Sequence, residues 1–114
     1  MNANGKKMVE LLKELRDDYG CVAVKAEFEA EGSRTDDMPL TIKIGGCEAV
    51  RDLDQCKLLG AKSIMAPMIE TPFALSKFKG AAEKVYGDQM DQIDWIINAE
   101  TITCHKNYDE ILDA

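Results

Sequence analysis

Short apolar runs alternate with amphipathic segments along this sequence, and that alternation limits its folds more than any other feature. A strand that is followed by a helix and a second strand has to cross over, and the crossover makes the two strands parallel. Four runs have strand character: Cys21 to Phe28 (CVAVKAEF), Leu40 to Ile44, Ser63 to Ile69 and Asp94 to Ala99 (DWIINA). Between the second and third, Glu48 to Leu59 places Val50, Leu53, Cys56 and Leu59 on one helical face, with Gly60 as its stop. Between the third and fourth, Thr71-Pro72 has the form of an N-cap followed by Pro at the first helical position. Phe73, Leu75, Phe78, Ala81 and Val85 then mark one face as far as Gly87. An amphipathic helix over Lys7 to Asp18, carrying Met8, Leu11, Leu12 and Leu15 and stopped by Gly20, precedes the first strand. A short helix from Asn107 to Leu112, capped by Asn107, closes the chain.

These elements predict an α/β fold of alternating parallel strands and helices with an N-terminal helix, organised as one domain over residues 1–114. A chain of this length is too short for an entire eight-stranded barrel, which needs roughly 250 residues. One connection departs from the pattern. About ten residues join Phe28 to Pro39, fewer than a helical crossover uses, so either the crossover is a bare loop or these strands are not parallel neighbours. Trp95, Ile96 and Ile97 are expected in the core, because parallel strands are buried on both faces, and Met65 and Met68 are expected to pack.

Charge narrows the function classes. Twenty-one acidic and fourteen basic residues give a formal net charge of −7, which repels phosphate backbones and anionic membranes and argues against nucleic acid as partner. No apolar run approaches the roughly 18 residues of a membrane span, and MNANGKKMVELLKEL lacks the apolar stretch of a signal peptide, so a cytoplasmic location is expected. In that compartment Cys21, Cys47, Cys56 and Cys104 are expected as reduced thiols, and Cys packs as a small core residue. His105 reads as a surface loop residue, and the runs RDD at 16–18 and TDD at 35–37 as solvated.

In a parallel α/β sheet the chemistry gathers at the carboxyl ends of the strands. Those ends carry Glu27 and Glu29, then Lys43 with Gly45 and Gly46, then Glu70 and Thr71, then Asn98, Glu100 and Thr101. Carboxylates that converge on one rim repel unless a cation sits among them, and oxygen ligands suit magnesium or manganese; a hard divalent site near Glu100 and Glu70 is the resulting expectation. A Glu ahead of a Thr also suits the positive end of a helix dipole, worth about 0.3–1 kcal/mol and without chemistry.

Two segments, GAKSIMAPMIETPFAL (60–75) and INAETITCHKNYDEIL (97–112), resemble consecutive strand-to-helix units of the HpcH/HpaI aldolase/citrate lyase family. With KIGGCEAVRDL (43–53) the resemblance covers most of residues 20–114. It implies half of a TIM-type (β/α)8 barrel and a metal-dependent carbon–carbon lyase that acts on a 2-oxo acid or an acyl-CoA ester. Glu100 matches the family's metal-ligand glutamate, and Asn98 the polar residue two places before it. Lys43 falls where the family usually has an arginine that holds the substrate carboxylate, and Glu48 on an acidic position of the following loop. Glu27 or Glu29 matches a further acidic position, and the family's adjacent histidine has no counterpart in EFEAEGSR.

The implied catalytic set is Lys43, Glu48 and Asn98. The implied substrate set is Lys43, Gly45, Gly46, Glu70 and Thr101, and Glu100 would hold Mg or Mn. About four of the eight strand units are present, and the family's second metal carboxylate belongs to the next one. The chain is therefore expected to be a truncated barrel, incomplete as an active site alone, that forms a homo-oligomer or pairs with a complementing fragment. The competing expectation is a non-catalytic α/β interaction module that self-associates through its sheet edges.

Overall fold

The computed structural model describes residues 2–27 and 39–114. Its elements run α1 (Ala3–Tyr19), β1 (Val24–Glu27), β2 (Leu40–Lys43), α2 (Val50–Leu59), β3 (Ser63–Ala66), α3 (Pro72–Tyr86), a 3-10 turn (Gly87–Gln92), β4 (Asp94–Ile97), α4 (Ile102–Lys106) and α5 (Tyr108–Leu112). The protein is an α/β fold built on a parallel sheet of order β1-β2-β3-β4. β1 and β2 are parallel neighbours, with Val24 opposite Leu40, which excludes the alternative that these two strands are not parallel neighbours. Phe28, Glu29 and the TDD run lie outside the described residues, as does the side chain of Glu27.

Each described strand is four residues long rather than the five to eight expected, because β2, β3 and β4 leave the ladder before the last residues of their apolar runs and β1 joins it at Val24. The residues beyond, such as Ile44 and Ile69, are still fully buried but serve the turns. Strand residues alternate between faces. Ile42, Ile44, Ile64 and Ala66 are buried in one cluster with Leu53 and Cys56 of α2 and Phe78 and Ala81 of α3, so this face is the helix-covered core. The opposite face presents the register rows Thr41, Ser63, Asp94 and Lys43, Met65, Ile96. The two crossover helices pack on each other. Both therefore lie on the same side of the sheet.

Helix ends follow the sequence signals. Thr71 Oγ1 accepts from the Ala74 amide at 3.1 Å, and Pro72 supplies the first helical position of α3. Gly60 closes α2 with φ of 69°, a left-handed conformation a side chain resists, and its amide donates to the carbonyls of Cys56 and Lys57. Asn107 does not cap α5 as expected. Its side chain makes no cap bond there, and Nδ2 instead donates to the Glu70 carbonyl at 2.9 Å. Helix α4 over Ile102–Lys106 occupies what was read as a loop, capped by Thr101 Oγ1 on the Cys104 amide, and it places the exposed His105 in its last turn.

Two packing expectations are corrected. Trp95, Ile96 and Ile97 are half-buried, not core, because β4 is an outer strand with one neighbour. Trp95 nevertheless stacks edge-on against Phe78 and Tyr86, at ring-centroid distances of 5.7 and 5.2 Å, and donates Nε1 to the Met90 carbonyl. Met68 is 58 % exposed, whereas Met65 on β3 is half-buried. All four cysteines are free thiols; Cys56 and Cys104 are buried and Cys21 and Cys47 half-buried. Among the described residues no helix is long and apolar enough to cross a membrane.

Candidate functional site

The residues singled out at the strand ends fall into two groups on the carboxyl rim. Neighbouring strands stand about 4.8 Å apart, so β2 and β4, with β3 between them, are separated by roughly 10 Å.

The first group follows β3 and β4. Beyond Ile97 the chain turns at Asn98, whose amide donates to the Ala66 carbonyl at 3.0 Å and so extends the pairing with β3. Glu100 then reaches back across that pair. Its Oε1 accepts from the Met68 amide at 3.0 Å and its Oε2 from Asn98 Nδ2 at 3.3 Å. Met68 adopts φ of 50°, the only non-glycine described residue with positive φ. That conformation costs a non-glycine residue about 1–2 kcal/mol. The neighbouring Ile69 is fully buried and fixes the turn from below, while Glu100 holds the Met68 amide from above. Glu70 is half-buried, and its carbonyl is taken by Asn107, which ties the α4–α5 junction to the β3 turn.

Thr71 and Thr101 both serve as N-caps, so their hydroxyls are committed to the amides of Ala74 and Cys104. A capping hydroxyl oxygen accepts one amide and keeps its own proton to donate.

The second group follows β2. Lys43 ends the strand, half-buried, on the face turned away from the helices. The Gly45 amide donates to Asp52 Oδ2 at 2.7 Å, a short charge-assisted bond that folds the loop onto the first turn of α2. A Cβ at Gly45 would lie 3.1 Å from that same oxygen, a tight contact that the Asp52 carboxylate would have to shift to relieve, whereas one at Gly46 would meet nothing within 4 Å. Glu48 lies ahead of α2, exposed, and its Oε1 pairs with Lys77 Nζ of α3 at 3.4 Å. Lys77 Nζ also stands 5.3 Å from the centre of the Phe73 ring.

The structure thus brings Asn98 and Glu100 together with the Met68 amide, ties Gly45 to Asp52 on the β2 side, and pairs Glu48 with Lys77 of α3. Sequence reasoning missed Met68, Asp52 and Lys77. Asp52 carried a usable signal, an acid in the first turn of a helix that follows a glycine pair; Met68 and Lys77 carried none. Among the described residues no group of three or more His, Cys, Asp or Glu side chains is gathered closely enough to hold a metal ion. The rim offers one carboxylate held by two donors, and a magnesium or manganese ion bound through one or two carboxylates completes its shell with water and substrate oxygens.

The architecture is an α/β fold on a parallel sheet, with Asn98, Glu100 and the Met68 amide joined at its carboxyl rim. No protein-family model matches the chain, no curated protein matches it, and no solved structure matches its fold.

Proposed function

We propose that this chain forms half of a (β/α)8-type barrel whose rim supports metal-dependent carbon–carbon bond cleavage in a 2-oxo acid or acyl-CoA ester. The observation that carries the reading is Glu100, aimed across the β3–β4 rim by the Met68 amide and Asn98 Nδ2. The strand order supports it as well. Doubly wound sheets reverse their order at a switch point and place helices on both faces, whereas a barrel adds strands in sequence with helices on one side. The order β1-β2-β3-β4 with α2 packed on α3 follows the second scheme.

In this reading Glu100 would hold Mg or Mn, which when bound would supply Lewis acidity to a substrate oxygen. Asn98 fixes the orientation of the Glu100 carboxylate. Lys43 attracts the substrate carboxylate as a point charge, without the bidentate fit of an arginine. Glu48, paired with Lys77, stands by the β2 loop, where it orients the polar end of the substrate. Glu70 and Thr101 line the rim between these groups. The remaining metal ligands come from solvent, substrate or a complementing half of the barrel.

Manganese binding to the purified chain, followed by electron paramagnetic resonance, tests the site. The expected result is a bound Mn fraction that Glu100→Gln removes and a metal-dependent retro-aldol turnover of a 2-oxo acid that the same variant loses. No manganese binding together with no turnover, with Glu100→Gln changing nothing, overturns the reading.

The outer edges of β1 and β4, each with one neighbour in the sheet, favour a second reading, a non-catalytic module that pairs through those edges. It is distinguished by normal association in the absence of any metal response.

A further inference from the structure

Helix α1 is built in a way that an isolated helix is not. None of its residues is buried. Met8, Leu11, Leu15 and Tyr19 form one stripe at spacings of three, four and four residues, and they are 38, 48, 42 and 71 % exposed. This is the spacing of a helix-pairing seam. A surface helix normally turns such a stripe toward the core of its own domain. Here the residues on the adjoining line, Val9 and Leu12, are only half-buried, and the seam faces solvent.

The charges on α1 run against its own dipole. The N-terminal end of a helix favours acids and the C-terminal end bases. In α1 the first turn holds no acid, Lys6 and Lys7 follow it directly, and Asp17 and Asp18 close the helix. Arg16 is the one base in the last turn, and its Nε bonds Asp17 Oδ1 at 2.7 Å. Residues 16–18 therefore keep a net negative charge, while Lys6 and Lys7 make the other end positive. A second α1 laid antiparallel reverses both disadvantages. It sets Lys7 of one copy, which flanks the stripe beside Met8, near Asp18 of the other, which flanks it beside Tyr19, with Lys6 and Asp17 further round the helix acting at longer range. It also lays the two dipoles antiparallel and brings Met8 toward the other copy's Leu15. A parallel arrangement places like charges together at both ends.

We infer that α1 is the self-association surface of this protein and that two copies pair through it as an antiparallel helix couple. The occupant of the seam is a second copy because the two ends of the helix are complementary to each other. The inference is independent of the metal chemistry at the rim, since α1 contributes none of the rim residues. The seam is one face of a single helix, so the pair belongs to the weak class.

Sedimentation velocity on the full chain over a concentration series, at low and high salt, tests the inference. The expected result is a monomer–dimer equilibrium that Leu11→Glu and Leu15→Glu each abolish. Lys6→Glu with Lys7→Glu, which touches no apolar contact, is expected to weaken it at least about tenfold at low salt. Adding Asp17→Lys and Asp18→Lys to that variant restores pairing, because both ends are then reversed together. Trp95 fluorescence, which reports the core around α3, remains unchanged in every variant. A monomer up to about 1 mM overturns the inference. So does association that the Leu11 and Leu15 variants leave intact, which places the interface at the sheet edges. Association lost on changing the leucines but indifferent to the charge reversals overturns the antiparallel arrangement.

Discussion

Replacing Glu100 by Ala tests whether its carboxylate holds the rim together. The change removes the acceptor of the Met68 amide, 3.0 Å away, and of Asn98 Nδ2, 3.3 Å away. A bond to a charged acceptor is worth about 1.5–3 kcal/mol when sheltered, but Glu100 is exposed and water can replace it, which brings the cost nearer 1 kcal/mol. Relaxation of the strained Met68 could return part of that. It is opposed by Ile69, fully buried one residue later, which anchors the turn in its present shape. The net expectation is a loss of about 1 kcal/mol, and with a urea slope near 1.5 kcal/mol/M that lowers the unfolding midpoint by roughly 0.7 M. Trp95, the single tryptophan, lies on the adjacent strand between Phe78 and Tyr86 and supplies the fluorescence signal. Glu100→Gln retains an oxygen acceptor and should cost less than half as much. A midpoint for Glu100→Ala within about 0.2 M of the parent, or equal losses for Ala and Gln, refutes the idea that the carboxylate positions the β3 turn.

Four further outcomes follow from the packing. Gly60→Ala forces a side chain into a left-handed cap with φ of 69° and should destabilise by about 1–2 kcal/mol in the same urea assay. Phe78→Ala removes a ring that is 3 % exposed and stacked on Trp95, with an expected loss of about 3–5 kcal/mol and a shift in Trp95 emission. Burial, reinforced by the Asp52 charge, pushes the Cys56 thiol up to about 12, and burial with the neighbouring Cys56 and Asp54 does the same to the Tyr86 hydroxyl. Both groups bind protons more tightly folded than unfolded. Their contribution is therefore complete below the unfolded values near 9 and 10 and is lost as pH rises toward 12. Circular dichroism against pH should accordingly show this part of the stability being lost on the alkaline side, as pH rises from about 9 toward 12. A thiol reagent at neutral pH should titrate Cys21 and Cys47 quickly and reach Cys56 and Cys104 only in denaturant.

The order of elements was legible because its signals are local. Gly20, Gly60 and Gly87 and the Thr71-Pro72 pair each act within one or two helical turns and hold in the structure, as does the apolar spacing of α2 and α3 except at Leu59 and Phe73, which are exposed. Glu100 and Asn98 were legible for the same reason, two residues apart after one strand. Helix α4 was missed because five residues of ITCHK carry too little periodicity to separate from a loop. The exposure of α1 was also missed: an amphipathic stripe reveals that a helix has an apolar face but not what lies against it.

By itself the sequence determined the alternation of strands and helices, where most helices start and stop, and which residues lie at the strand ends. Tertiary structure alone decided that β1 and β2 are parallel neighbours, that β4 lies at the edge with Trp95 half-buried, and that Asn107 holds the Glu70 carbonyl 37 residues away instead of capping its own helix. It also decided that Glu100 holds the amide of Met68, 32 residues earlier. The physical reason is common to these cases. Backbone propensity and capping are settled by neighbours along the chain, whereas the partner of a strand end or a rim carboxylate is set by which segments the folded sheet brings side by side.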